Sequence, residues 1–237
     1  MRFRTALLIL FYVVLVLLLI PFLLLCMLAG TRAPLVAVGK WAMRLSRRIL
    51  GIPLDVRGLD NVDPGRPLVF MANHLSFLDG PLLFMLIPHP VRVIMKKGVG
   101  RIPIVGLGMR FVGFLTVDRK SAREGKAQIG RAARMMEEKG YSFLIFPEGT
   151  RSRDGLLAPF RRGGFFLAVE SGAPIVPVAL RGTYEMMPRG RWYVGQGRIR
   201  IDFLEPIPAR EYTVDTMPAL MDRVRSAIRD CLDKGDA

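Results

Sequence analysis

The chain has 237 residues, 51% of them apolar, with 35 Lys and Arg against 20 Asp and Glu for a net charge of +15. A chain this apolar can bury enough surface to offset its conformational entropy, which excludes intrinsic disorder. Its two cysteines, Cys26 and Cys231, exclude a disulfide scaffold and give no sign of an oxidising compartment.

The first 54 residues hold seven basic side chains and no acidic one. Within them, residues 6–30 form 25 consecutive uncharged positions. About 20 apolar residues cross a bilayer core as a helix, so the run is long enough to do so. A secretory signal has a shorter apolar region, roughly 7–15 residues, so the run reads as a retained anchor despite Arg2 and Arg4 ahead of it. Pro21 removes a helical N–H and predicts a kink or reversal there, which leaves open a spanning helix or an embedded hairpin. Residues 34–50 interleave Leu35, Val38, Trp41, Leu45 and Ile49 with Lys40, Arg44, Arg47 and Arg48. That is an amphipathic basic helix suited to anionic headgroups. Five basic residues follow the apolar run and two precede it, which places the bulk of the chain on the cytoplasmic side of the cytoplasmic membrane. The expected organisation is a membrane anchor over 1–51 and an α/β domain over 52–237.

From residue 54 onward, short β-rich runs alternate with helical patterns. Strands are expected at 54–58, 68–72, 91–95, 113–117, 142–146, 175–180 and 198–203, and helices at 77–86, 104–111, 122–139, 163–170 and 214–232. This alternation predicts an α/β fold, a mixed sheet covered by helices on both faces, behind the N-terminal membrane-embedding helical segment. The strict alternation of Arg198-Ile-Arg-Ile-Asp-Phe predicts an edge strand with one wet face.

Two strings carry chemistry. The first, Asn73-His74-Leu75-Ser76-Phe77-Leu78-Asp79, directly follows an apolar strand. His74 therefore sits at the C-terminal end of that strand, where α/β sheets open their ligand crevices. An imidazole there can take a proton from a hydroxyl, and a carboxylate five residues on can fix its tautomer. Ser76 and Asp79 equally read as a helix-capping box, which would make Asp79 structural. The other histidine, His89, lies between Pro88 and Pro90 and reads as a loop residue. The second string, Phe146-Pro147-Glu148-Gly149-Thr150-Arg151-Ser152, follows another apolar strand. Gly149 allows close backbone approach, Thr150 offers a hydroxyl, and Arg151 can grip a phosphate bidentately.

Together the strings resemble the glycerophospholipid acyltransferase family, in particular its 1-acyl-glycerol-3-phosphate acyltransferases. Two further blocks appear in the family's order, Gly113-Phe-Leu-Thr-Val-Asp118-Arg119 and Ile175-Val-Pro177-Val-Ala-Leu180, so the likeness covers roughly 54–203. The resemblance implies acyl transfer from acyl-CoA or acyl carrier protein to the hydroxyl of a lysophospholipid, with lysophosphatidic acid as acceptor and phosphatidic acid as product. It implies His74 as general base and Asp79 as its positioning carboxylate. It implies that Arg119, Glu148, Gly149, Thr150 and Arg151 bind the acceptor's phosphate and that Pro177 shapes an acyl pocket. It implies neither metal nor cofactor, and no G-x-S-x-G string, P-loop or metal-spaced Cys/His cluster is present. One departure is Lys96-Lys97-Gly98, where the family often has a Lys-Glu-Leu-like string. The lysines remain candidate substrate-binding groups, and the headgroup is left open to another lysophospholipid or a lyso-ornithine lipid.

Between residues 91 and 134 eleven basic side chains face only Asp118 and Glu124, which predicts a basic cleft for an anionic substrate. Nucleic-acid binding, suggested by the charge, does not fit the membrane run or the lack of aromatic-basic interleaving. A non-catalytic membrane lipid-binding module is the rival of another class. The membrane lipids themselves are expected partners, and an apolar tunnel for the acyl chain is expected partly along helix 77–86.

Overall fold

Leucine and its neighbours at nearly every position of the N-terminal run favour uninterrupted helix, and one proline removes only one intrahelical bond. A computed structural model, which describes residues 2–117 and 121–235, accordingly has a single helix α1 (Arg2–Leu28) running unbroken through Pro21. The reversal expected at Pro21 falls instead at residues 29–32, before α2 (Ala33–Leu50). The two helices pack as an antiparallel pair, with the Tyr12 and Ser46 hydroxyls 2.8 Å apart and Phe11 against Trp41.

Helix α1 is long and apolar enough to cross a membrane, yet it is tied to the rest of the chain at both ends. Near its start, Thr5 Oγ1 accepts the Val194 N–H (3.2 Å) and Arg2 lies over the Tyr193 ring. Near its end, Leu23 packs toward Gly108, and Arg32, in the turn that follows, donates to the Phe111 carbonyl (2.8 Å). Between these ties its outer face exposes twelve large apolar side chains, Leu18 and Leu28 among them. At ~1.5 kcal/mol or more each, leaving them in water would cost on the order of 20 kcal/mol.

The remainder is a seven-stranded sheet built from β1 (Leu54–Arg57), β2 (Val69–Ala72), β3 (Val91–Lys96), β4 (Leu115–Val117), β5 (Ser142–Ile145), β6 (Ile175–Arg181) and β7 (Ile199–Phe203). The spatial order is β1-β7-β6-β2-β5-β3-β4, parallel throughout except for the β6–β7 pair. All seven expected strands are present, and so are the five expected helices: α3 (Asp79–Leu86), α4 (Val105–Phe111), α5 (Ala122–Lys139), α6 (Gly163–Ser171) and α8 (Met217–Asp233). A one-turn helix, α7 (Thr183–Met186), was not expected, being too short to show a periodicity.

The two cores follow from strand alternation. Phe70, Ala72, Val176 and Val178 turn to one face, beneath α2 and α3, whereas Val69, Met71, Ile175 and Ala179 turn to the other, beneath α5, α6 and α8. Helices therefore cover both faces. One expectation fails: β7 lies between β1 and β6 rather than at an edge. Its polar residues alternate because Arg200 and Asp202 form an ion-pair cluster with Arg181, whose guanidinium also donates to the Cys231 carbonyl on α8. The alternation marks a covered polar seam, not a wet face.

Candidate active site

The chain leaves β2 at Ala72, and its next residues lie at the C-terminal end of that strand. Asn73 is fully buried and clamps this exit, exchanging two hydrogen bonds with the backbone of Leu180 (2.9 and 2.7 Å). Behind it, His74 Nδ1 lies 2.9 Å from Asp79 Oδ2 at the start of α3. The same Oδ2 accepts the N–H groups of Leu75 and Ser76, both at 2.7 Å. Asp79 is 0% exposed, and among the described residues its other oxygen has no partner. The two readings of Asp79 hold together: one carboxylate oxygen ties the turn before the helix and grips the histidine.

A carboxylate only accepts, so the Nδ1 proton belongs to His74 and Nε2 carries the lone pair. The ring is stacked on Phe146, centroid to centroid 4.0 Å, and its side chain stays 21% exposed. It is held on one edge and one face and open on another.

Glu148 is 2% exposed, with its carboxylate turned inward. Oε1 accepts the His74 N–H at 2.6 Å and Oε2 accepts the Ala158 N–H at 3.0 Å. Burial pushes its pKa up to about 7, against the pull of these two amides. Ser152 N–H in turn donates to the His74 carbonyl (2.8 Å). The string after β5 therefore braces the string after β2, with both Glu148 oxygens engaged by backbone N–H groups.

Gly149 has φ 76°, left-handed backbone that a side chain would strain, and a Cβ there would sit 2.9 Å from Arg161 Cδ. The glycine thus lets the Arg161 side chain lie across the turn, beside half-buried Arg151 and exposed Thr150. Arg161 was not among the expected site residues, although the sequence shows its turn as a basic one whose glycines let a lipid or phosphate approach the backbone. Its signal was the Phe160-Arg161-Arg162-Gly163 turn, which only the fold brings back, through an Arg161 N–H bond to the Pro147 carbonyl (2.8 Å).

Other expected site residues are placed less closely. Lys96 is exposed at the C-terminal end of β3, two strands from β2, and Lys97 pairs with Glu124 on α5 (3.0 Å). Arg119 lies outside the described residues. Pro177 is buried in β6 opposite Met71, on the sheet face away from α3, so the structure does not bring it to His74. The groove expected along helix 77–86 is not open either. Leu82, Leu83, Phe84 and Met85 are packed into the core, and the large exposed apolar side chain of the 73–79 string is Phe77.

The long basic run divides. Lys96 and Lys97 lie at the C-terminal end of β3, whereas Arg92, Arg110, Arg131 and Arg134 gather around the opposite end of the strands.

Known proteins share this framework. The family model described as Acyltransferase matches residues 53–181. A chloroplastic 1-acyl-sn-glycerol-3-phosphate acyltransferase of Brassica napus is 38% identical over 157 residues, 65% of this chain and 44% of that protein. The human 1-acyl-sn-glycerol-3-phosphate acyltransferase alpha is 31% identical over 180 residues, 76% of this chain and 64% of that one. The match thus spans about half to two thirds of these relatives. The crystal structure of the 1-acyl-sn-glycerophosphate acyltransferase from Thermotoga maritima superposes with a TM-score of 0.80, covering 100% of this chain and 98% of that one at 24% identity.

Proposed function

The chain belongs to the acyltransferase family, and from that premise we propose that it transfers an acyl chain from acyl-CoA or acyl carrier protein to the 2-hydroxyl of 1-acyl-sn-glycerol-3-phosphate, giving phosphatidic acid. The observation that carries this reading is the His74–Asp79 pair at 2.9 Å, with Nε2 left as the free nitrogen. Nε2 takes the hydroxyl proton as the oxygen attacks the thioester carbonyl. Asp79 stabilises the imidazolium that results. The tetrahedral intermediate then expels the thiolate, which takes the proton back and leaves as thiol. Written this way, the step uses two protein groups and two substrates, without metal, cofactor or acyl-enzyme.

The acceptor's phosphate is assigned to the cations over the Gly149 turn, Arg151 and Arg161, with Thr150 as a hydroxyl partner and Lys96 and Lys97 at the rim. Arg119 remains assigned by its motif alone. Charge-assisted, bidentate contacts of this kind suit a phosphomonoester.

The N-terminal helix pair supports a lipid surface as the setting of this chemistry. Helix α1 is docked on the domain at both ends of its ~40 Å length, so it lies along the membrane face with its apolar side embedded, rather than crossing. Exposed Trp192 lies near the start of α1, through Tyr193 beneath Arg2. Both flanks then sit on the cytoplasmic side, where a lysolipid enters from the bilayer and the donor from water.

The test is acyl transfer by the detergent-purified full chain with acyl-CoA and acyl carrier protein donors and a panel of lysolipids, beside His74→Ala. The proposal expects product with lysophosphatidic acid and a loss of at least ~100-fold in the variant. Transfer to another lysolipid alone would overturn the headgroup while keeping the chemistry. No transfer by folded protein would leave the lipid-binding module as the function.

A further inference from the structure

A second basic site lies at the other end of the sheet from His74. The cleft, about 270 Å³, is bounded by Gly113 and Tyr141, which precede β4 and β5, and by the C-terminal half of α5. Five cations line it: Arg32, Arg110, Arg131, Arg134 and Lys139. The only carboxylate in the lining is Glu138, and among the described residues no ion pair engages any of the five. The guanidinium groups of Arg32 and Arg110 donate to the backbone carbonyls of Phe111 and Gly100, which hold them in place without neutralising their charge. The length of a strand, on the order of 15 Å, separates this cleft from the His74 end of the sheet.

A sixth cation stands behind the wall. Arg92 is 4% exposed, its guanidinium lies 3.8 Å over the Tyr141 ring, and its Nε has no hydrogen-bond partner among the described residues. A Cβ at Gly113 would come within 3.2 Å of that Nε, so a lining glycine at φ 95° is what separates it from the cleft. Burial raises the Tyr141 phenol, but Arg92, Arg32 and Lys139 together outweigh it and hold the pKa below its usual value. Converging like charges repel, and they are kept where a counter-charge arrives from outside.

We propose that this cleft is a non-catalytic site for a phosphate-bearing anion, supplied by the headgroup of an anionic membrane lipid. The lipid source rests on position. Arg32 is in the turn directly after the membrane-embedding helix α1, and Arg110 is three residues from exposed Leu107 on α4, so cation and apolar surface lie side by side as at a bilayer interface. The volume is just below the roughly 300–1,000 Å³ of small-molecule pockets, room for a headgroup while its chains stay in the membrane. The anion site stands on the cleft and the lipid source on the membrane placement of α1, and neither depends on the acyl-transfer reading.

The experiment uses the full chain in neutral detergent, as wild type, Arg131→Gln/Arg134→Gln and Glu138→Gln. Phosphatidylglycerol and phosphatidylcholine retained per chain are counted by native mass spectrometry, and melting temperature is followed with inorganic phosphate. Wild type is expected to retain one phosphatidylglycerol about tenfold more tightly than the double variant, and Glu138→Gln to retain it more tightly still. Phosphate is expected to displace that lipid and to stabilise wild type and Glu138→Gln more than the double variant. Stabilisation by phosphate without selective lipid retention would overturn the lipid source and leave a soluble phosphate compound as ligand. Equal retention and equal melting in all three proteins would overturn the site itself.

Discussion

The two ends of the sheet handle charge in opposite ways. At the C-terminal end, His74 is held by Asp79 and stacked on Phe146, and Asp79 and Glu148 accept four N–H groups of the surrounding backbone between them. At the N-terminal end, five cations converge with one carboxylate in the lining, and among the described residues no ion pair engages any of the five. A group that must move a proton needs fixed geometry, and backbone amides supply it because they cannot rotate away. A group that must catch a mobile anion needs unspent charge on long side chains. The first end is built to orient, the second to attract.

Variants should separate the two. The largest effect is expected for His74→Ala, at least ~100-fold in kcat with melting almost unchanged, because the side chain offers the backbone no acceptor. Asp79→Ala should lose a comparable factor and also stability. It orphans the buried Leu75 and Ser76 amides at ~1–3 kcal/mol each, which should lower the melting temperature by roughly 5–10 °C. Equal melting of the two variants would show that Asp79 does not hold the turn.

Gly149→Ala comes next. Left-handed backbone costs a side chain ~1–2 kcal/mol and the new Cβ displaces Arg161. The KM for lysophosphatidic acid should rise about tenfold with kcat nearly kept, and Arg161→Ala should match the KM change without the loss of stability. If Arg161→Ala leaves KM untouched, the acceptor's phosphate is not held there.

A smaller effect concerns pH. Glu148 has its folded pKa raised to about 7 from an ordinary 4.5, so between those values the folded state binds more protons than the unfolded one. Its contribution to stability is full below about 4.5 and is lost as pH rises through 7. Melting temperature should therefore fall over this window in wild type relative to Glu148→Gln, whose curve should be flatter. Least affected should be catalysis in Arg131→Gln/Arg134→Gln, with kcat within about twofold. A large kcat loss there would join the two ends functionally.

Much was legible from residue order. The apolar run, all seven strands, the five longer helices of the α/β domain and the positions of His74 and Asp79 after a buried strand follow from periodicity and motif, because those signals act over neighbouring residues. Only the tertiary structure decided what depends on which strand lies beside which. It put β7 inside the sheet, turned Pro177 to the face away from α3, and packed shut the helix expected to line a groove. It made Glu148 a backbone brace, brought Arg161 over Gly149, and divided one basic run between two ends of the molecule. The physical reason is connectivity. A crossover returns the chain to the opposite end of the sheet before each parallel strand, so residues close in sequence are sent to different ends while distant ones meet.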